Sequence, residues 1–121
     1  MTTAHVEEEL HGNVLEVRLH GRLTREDYLK WVPDSERLIR LNGKLRMLIH
    51  LEDFHGWDPG AMWEEMKWDI KHFRDVERVA IIGETKWQRW MASFCKPFTT
   101  AEIRYFEPFE IESARAWIGI A

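Results

Sequence analysis

The chain is poor in cysteine, with Cys95 the only thiol among 121 residues. A single thiol cannot form an intramolecular disulfide, so nothing indicates an oxidising compartment. No apolar run approaches the roughly 18 residues that a membrane-spanning helix needs. The first residues have neither the basic start nor the apolar block of a secretory signal. We therefore expect a cytoplasmic protein with no transmembrane segment.

Catalytic and nucleic-acid-binding patterns are also missing. Lys and Arg number 17 against 21 Asp and Glu, for a formal charge of −4, and the basic residues are scattered, so nucleic acid is not an expected partner. There is no Gly-x-Ser-x-Gly elbow, no Gly-rich phosphate loop and no local metal-ligand spacing. We therefore expect no catalytic residues, no cofactor and no metal, and a protein that is not an enzyme.

Three residues keep a metal site conceivable on chemical grounds. His50 and Glu52 project to one side of a predicted strand, and His20 lies on the polar side of a neighbouring strand. Two histidines and a carboxylate can bind a transition metal. No sequence spacing brings them together, and the competing interpretation is that these histidines are hydrogen-bonded or partly exposed.

Tryptophan is abundant, with seven residues in so short a chain. The composition, 45% hydrophobic and 31% charged, is that of a globular protein, and the length suits one domain over residues 1–121. Most of the tryptophans must lie in the core, but a core of this size leaves room for some at a surface.

Hydrophobic periodicity predicts the order β-β-α-β-α-β-α-β-α. The strands are predicted at residues 6–10, 14–19, 45–51, 79–83 and 101–106, and the helices at 25–42, 58–73, around 87–94, and 111–118. Thr24 is a suitable N-cap for the first helix, and Gly43 a suitable stop. The fold class is therefore α/β, with a mostly parallel sheet of about five strands, an N-terminal antiparallel hairpin and about four helices.

The junction between the third strand and the second helix is the most informative stretch. Asp58 has the side chain of an N-cap, and Pro59 fits the first helical position. Binding sites of open α/β sheets lie at the carboxyl ends of strands. We therefore predict a ligand or partner groove formed by Asp53, His55, Trp57, Asp58 and Trp63. Alternatively, the aromatic residues of this turn pin it onto the core.

The chain resembles a known family in several motifs. They are Leu51-Glu52-Asp53-Phe54-His55-Gly56-Trp57, Trp63, Arg78-Val79-Ala80-Ile81-Ile82-Gly83, Lys86-Trp87, Pro97-Phe98 and Arg104-Tyr105-Phe106. Together with the element order, they resemble the bacterial SpoIIAA-like family over nearly the whole chain. The resemblance implies a fold similar to the STAS domain of anti-sigma factor antagonists and to the lipid-binding CRAL-TRIO domain.

In anti-sigma factor antagonists, a partner kinase phosphorylates a serine that precedes a glycine at the start of the helix after the third strand. This chain has Asp58-Pro59 before Gly60, and no Ser or Thr between Ser35 and Thr85. The resemblance therefore implies a non-enzymatic binding or regulatory module without the phosphorylatable serine.

We expect such a module to pair as a homodimer or to bind a regulatory protein. The alternative is a carrier or sensor of a small apolar ligand or lipid. A carrier needs an enclosed apolar cavity of a few hundred Å³, whereas an interaction module needs an exposed patch.

Trp68 is the residue that we predict at a partner interface. Successive helical residues turn by about 100°, so an inward stripe of Trp63, Met66, Ile70 and Phe73 leaves Trp68 on the opposite, charged face. Tryptophan is enriched among residues that dominate binding energy. The alternative is that another part of the chain covers Trp68.

Overall fold

The computed structural model describes residues 6–72, 74–83 and 101–120. Its elements are β1 (Val6–His11), β2 (Val14–Leu23), α1 (Arg25–Asn42), β3 (Leu45–Trp57), α2 (Pro59–Lys71), β4 (Val76–Ile82), β5 (Glu102–Phe106), a 3-10 turn (Pro108–Glu110) and α3 (Ile111–Ile118). These elements confirm the predicted α/β class. The predicted helix around Trp87 and Phe94, and Cys95 after it, lie outside the described residues. None of the three described helices has the length and apolar content to cross a membrane.

The five strands form one mixed sheet in the order β1-β2-β3-β4-β5. β1 and β2 are the predicted antiparallel hairpin, joined by a tight turn in which Gly12 has φ 66°. This value lies in the left-handed region that glycine adopts without steric cost. The pairs β2–β3, β3–β4 and β4–β5 are all parallel. The predicted hairpin followed by a parallel sheet is therefore confirmed.

Local capping residues determine where α1 begins and ends. The Asp27 N–H donates to Thr24 Oγ1 at 3.4 Å, and the Thr24 N–H donates to Asp27 Oδ2 at 2.7 Å. This reciprocal pair satisfies two backbone donors at the helix start. The helix continues through Pro33 and ends at Gly43, whose φ is 80°. Both predicted helix limits are confirmed.

The helices pack on opposite faces of the sheet. Because side chains alternate along a strand, Leu15 and Val17 point to one face and pack with residues of α1 and α2. Val14, Leu48 and Ala80 point to the other face and pack with α3. The rest of that second face, on β1, β2 and the adjoining part of β3, carries polar side chains, which are described below.

Two arginines hold the C-terminal end of α3 against the sheet. Arg46 Nη1 donates to the Ile118 carbonyl at 3.2 Å, and Arg78 Nη1 donates to the Trp117 carbonyl at 3.0 Å. The Arg78 guanidinium also lies 5.1 Å from the centre of the Trp117 ring. Cations at a helix C-terminus satisfy its free carbonyls and complement the helix dipole. These contacts stabilise the docking of α3 on β3 and β4.

On the opposite face of the hairpin, Glu8 of β1 lies beside Asp34 of α1. Partial burial raises the pKa of Glu8 to about 7, and the neighbouring Asp34 carboxylate adds to the increase, while Arg37 opposes it. A carboxyl with a raised pKa holds its proton longer in the folded chain than in the unfolded chain. Glu8 therefore titrates near neutral pH.

This shift predicts a stability that depends on pH. Between pH 4.5, the ordinary pKa, and about 7, the folded chain holds more protons than the unfolded chain, so the contribution of Glu8 to stability falls as pH rises. We expect Glu8→Gln to exceed the wild type in stability at pH 8, by up to about 1 kcal/mol. At pH 5 the difference should be smaller.

Urea denaturation of both proteins at the two pH values measures this effect. Asp34→Asn, which removes the repelling carboxylate, should also reduce the pH dependence. An equal difference between Glu8→Gln and the wild type at both pH values would refute the assignment.

Candidate functional site

At the β3–α2 junction, β3 continues through residues that were predicted as a turn. Parallel pairing with β2 extends to Gly56 and Trp57, with register shifts opposite Gly21. The extra residues of β3, which have no partner on β2, are Asp53 and His55. The backbone is irregular at Asp53, with φ 49°, and at Gly56, with φ 99°. The turn prediction for this stretch is therefore wrong, because two irregular residues let the strand keep its partner. The predicted helix start is confirmed, since the Ala61 N–H donates to Asp58 Oδ1 at 2.8 Å.

The five residues that were predicted to form one groove differ in burial and in their contacts. Asp53 and His55 are exposed and contact each other, with an Oδ1–Nε2 distance of 3.3 Å. Trp57 is buried, and Asp58 serves as the helix cap. Trp63 lies on the surface of α2 with 60% of its area exposed. These five side chains therefore lie in four different environments.

The contacts of Trp57 match the pinning interpretation. Its indole Nε1 donates to the Tyr28 hydroxyl of α1 at 2.6 Å. Its ring lies edge-on to Phe54, with 4.8 Å between the ring centres. A buried tryptophan whose N–H has a partner contributes a large apolar surface without a desolvation penalty. Trp57 thus attaches the end of β3 to α1.

The predicted orientation of α2 is wrong. Trp63 and Ile70, which were predicted to point inward, are 60% and 61% exposed, whereas Trp68 is 7% exposed. Trp68 Nε1 donates to Ser35 Oγ at 3.1 Å, and its ring packs against Trp31 with 5.3 Å between centres. Trp68 is thus a core residue, and its predicted place at a partner interface is withdrawn. Phe73, the last member of the predicted inward stripe, lies outside the described residues.

The reason for this error is that α2 carries apolar residues on two faces. Both Ala61, which is fully buried, and Trp68 lie on the face that meets the sheet and α1. Ala61 permits close approach, and the buried Ser35 hydroxyl gives the Trp68 indole a hydrogen-bond partner. The opposite face presents Trp63, the half-buried Met66 and Ile70 at helical spacing. We call these three residues the α2 stripe.

An apolar cavity of about 70 Å³ lies between the sheet and helices α1 and α2. Its aromatic lining consists of Tyr28, Trp31, Trp57 and Trp68, and Glu65 is its acidic neighbour. Pockets for drug-sized ligands typically measure about 300–1,000 Å³. The cavity bounded by the described residues therefore accommodates a few heavy atoms rather than a lipid chain.

The polar part of the second sheet face is organised around Glu16 of β2. Glu16 is 2% exposed and accepts two short hydrogen bonds. His50 Nε2 lies 2.7 Å from Oε2, and His11 Nε2 lies 2.8 Å from Oε1. A buried carboxylate requires such partners, because desolvation of an unpaired charge is costly. Glu16 therefore joins β2 to β3 and to the end of β1 on this face.

The protonation of this cluster follows from its burial and its hydrogen bonds. Burial acts to raise the pKa of Glu16, but the hydrogen bonds from His50 and His11, with the charge of Arg115, outweigh it and lower the pKa. Burial lowers the pKa of His50, and Glu16 offsets this only in part. At neutral pH the cluster thus pairs an ionised carboxylate with a neutral His50.

Charged side chains continue the polar face around this centre. Arg18 Nη1 donates to Glu52 Oε1 at 2.7 Å, and Arg18 Nη2 lies 3.5 Å from Glu16. His20 lies 3.7 Å from Glu52. His20, His50 and Glu52 thus share one face, as the strand patterns indicated, but the close partner of His50 is Glu16.

Sequence reasoning did not single out Glu16, His11 or Glu9. The hairpin register places Glu9 directly opposite Glu16, and His11 points to the same side as Glu9. That pairing could have been derived from the two-residue turn, because strand alternation then follows from the register. The burial of Glu16 depends on β3 and α3 and had no local signal.

Comparison with known proteins agrees with this fold. The SpoIIAA-like family model matches residues 14–119. A crystal structure of an uncharacterized protein from the DUF3478 family of Shewanella loihica PV-4, with a SpoIIAA-like fold, is 30% identical to this chain with a TM-score of 0.73. The match covers 93% of this chain and 91% of that one. No curated protein matches the chain. The chain belongs to the SpoIIAA-like family.

Proposed function

We propose that this protein is a non-enzymatic binding module that pairs with a second copy of itself through the α2 stripe. The observation that carries the proposal is the exposure of Trp63 and Ile70, at 60% and 61%, on one face of a helix. The two residues are seven positions apart, which places them on the same side of an α-helix with Met66 between them. Large exposed apolar groups at such spacing are typical anchors of helix-mediated association.

The pattern of α2 suits a second copy better than an unrelated partner. In a two-fold pair of antiparallel helices, each residue meets the residue at the mirrored position along the helix. With the axis near Met66, Trp63 would lie against Ile70 of the partner subunit, and both contacts would occur twice. The apolar groups of the α2 stripe are thus self-complementary.

Sedimentation velocity of the full chain over a range of concentrations tests this proposal. We expect a reversible dimer, and we expect Trp63→Ala to weaken it by about 2 kcal/mol or more, which is roughly 30-fold in Kd. The matched control is Phe109→Ala, because Phe109 is 84% exposed but lies in the 3-10 turn rather than on α2. A monomeric wild type, or an equal loss in both variants, would contradict the proposal.

We also propose that this pairing is not controlled by phosphorylation at the start of α2. The Asp58-Pro59-Gly60 sequence has no hydroxyl, and Asp58 is engaged as the helix cap. Incubation with bacterial anti-sigma kinases and ATP, followed by mass spectrometry, should find no phosphate on residues 58–60. Phosphate on Asp58 would overturn this expectation.

A second candidate function, carrier or sensor of a small apolar molecule, is favoured by the cavity beneath α1 and α2. Its lining is almost entirely apolar and includes three indole rings. Because it measures about 70 Å³, the ligand would contain few heavy atoms unless the site expands. Solvent extraction of freshly purified native protein, followed by mass spectrometry, should recover such a molecule. Repeated failure to extract any apolar compound would reject the carrier function.

A further inference from the structure

Two carboxylates face each other across the β1–β2 hairpin. Glu9 is in register with Glu16, and both point to the polar sheet face. Like charges directly opposite on neighbouring strands destabilise a sheet. A cation between them would remove this repulsion. His11, two residues after Glu9, adds a nitrogen donor on the same face.

The three donor groups are close enough to share one ion. Each of the three residues Glu9, His11 and Glu16 offers one ligand atom, and these three atoms lie within 4.8 Å of one another. His11 Nε2 is 2.8 Å from Glu16 Oε1 and 3.9 Å from Glu9 Oε2. Ligand atoms that each lie about 2.0–2.1 Å from a zinc ion are about 3–3.4 Å apart in tetrahedral or octahedral geometry. Completing the set takes a small movement of Glu9, whose side chain is 69% exposed, and transfer of the His11 proton from Nε2 to Nδ1, which frees the Nε2 lone pair for the metal.

We infer that Glu9, His11 and Glu16 form a binding site for a divalent transition-metal ion such as Zn²⁺. Imidazole and carboxylate together suit zinc and its neighbours, whereas Mg²⁺ and Ca²⁺ prefer oxygen ligands alone. Open coordination positions would face solvent, because a groove lies beside the cluster, lined by Glu7, Glu8, Glu9, Glu16 and Arg18.

His50 acts as the positioning residue of this site. Its Nε2 lies 2.7 Å from Glu16 Oε2, so the other oxygen of Glu16 remains directed to His11. Outer hydrogen bonds of this kind orient metal ligands and raise metal affinity. Arg115 Nη1 lies 3.5 Å from Glu16 Oε1, which is longer than a good hydrogen bond. His11 Nε2, at 2.8 Å, is therefore the closer partner of this oxygen.

The charge of this surface fits a divalent cation. Its carboxylates are Glu7, Glu9, Glu16 and Glu52, and its guanidinium groups are Arg18 and Arg115. Counted without the histidines, these described groups leave two negative charges around the cluster. A bound divalent ion would neutralise them and join β1 to β2.

Calorimetric titration of the chelator-treated full chain with Zn²⁺ tests the inference. We expect saturable binding to the wild type, and binding at least about tenfold weaker in His11→Gln and in Glu9→Gln. Glu9 is exposed, so Glu9→Gln should keep the fold. The matched control is His20→Gln, because His20 is a histidine of the same face that pairs with Glu52 instead. Its affinity should remain within about twofold of the wild type.

Further readouts separate coordination from general charge attraction. His50→Gln should weaken Zn²⁺ binding about tenfold. Mg²⁺ should not compete with Zn²⁺ for the site. The affinity for Zn²⁺ should fall as pH is lowered, because protons compete with the metal for the imidazole. No binding up to about 1 mM Zn²⁺ would overturn the inference. Equal losses in His11→Gln and His20→Gln would do the same. The wild-type dimer measurement is made without metal, so the two proposals fail independently.

Discussion

Replacement of Trp68 by alanine is expected to lower the free energy of unfolding by about 3–5 kcal/mol, the usual cost of deleting a buried tryptophan. Trp68 is 7% exposed, packs against Trp31 and donates its indole hydrogen to Ser35. The substitution would enlarge the existing apolar cavity, which Trp68 helps to line. Urea denaturation monitored by circular dichroism measures the loss.

Trp63→Ala is the matched control, because it removes the same side chain from the same helix. Trp63 is 60% exposed, so at protein concentrations where the chain is monomeric the loss should stay within about 1 kcal/mol. Comparable losses in the two variants would show that α2 is oriented differently. The pair of variants therefore distinguishes a core residue from an interface residue on one helix.

Glu16→Ala is the second substitution with a large expected effect. We expect it to lower the free energy of unfolding by about 3 kcal/mol, because removing one partner of a buried polar pair leaves the remaining polar group without a hydrogen-bond partner. His50 is 4% exposed and would lose the acceptor that lies 2.7 Å from its Nε2. His11 and Arg115 would lose the same carboxylate. Thermal and urea unfolding at pH 7 measure this loss.

The pKa of Glu16 predicts how this contribution varies with pH. Its folded pKa lies below 4.5, the ordinary value, so its stabilisation is present above pH 4.5 and is lost as pH falls through the folded pKa. The lowered pKa of His50 also makes acid destabilising, because the unfolded chain takes up that proton first. The stability difference between wild type and Glu16→Ala should therefore shrink below pH 4.5.

Glu52→Ala is the control for Glu16→Ala. Glu52 also accepts a short hydrogen bond, from Arg18, but its side chain is 43% exposed. Solvent screens such a pair, so its loss should cost less than about 1 kcal/mol. A loss as large as that of Glu16→Ala would contradict the role of burial.

The elements of this fold could be predicted because their signals are local. Thr24, Gly43 and Asp58 each act on backbone groups within four residues of themselves, and all three act as expected. Strand alternation likewise depends on near neighbours. These features required no knowledge of which elements meet in three dimensions.

The orientation of α2 and the Glu16 cluster could not be predicted, because both depend on distant partners. Trp68 is buried through its contact with Ser35, 33 positions away in the sequence, and His50 lies 34 positions from Glu16. Periodicity indicates that a helix has an apolar face, but with two such faces it cannot indicate which one meets the sheet. The burial of the predicted groove residues could not be predicted for a similar reason, since the irregular residues of β3 direct Asp53 and Trp57 to different environments.

β1 lies at one edge of the described sheet and carries three consecutive glutamates, Glu7, Glu8 and Glu9. An edge strand can recruit a strand from another molecule and so start sheet extension or fibril growth. Glu7 and Glu9 place negative charge on one face of this edge, and Glu8, whose pKa is raised to about 7, adds charge on the other face above that pH. The β1 strand of a second molecule would therefore meet repulsion between like charges. Acidification would weaken this repulsion by protonating the glutamates. The resulting association of molecules would be detected as an increase in light scattering.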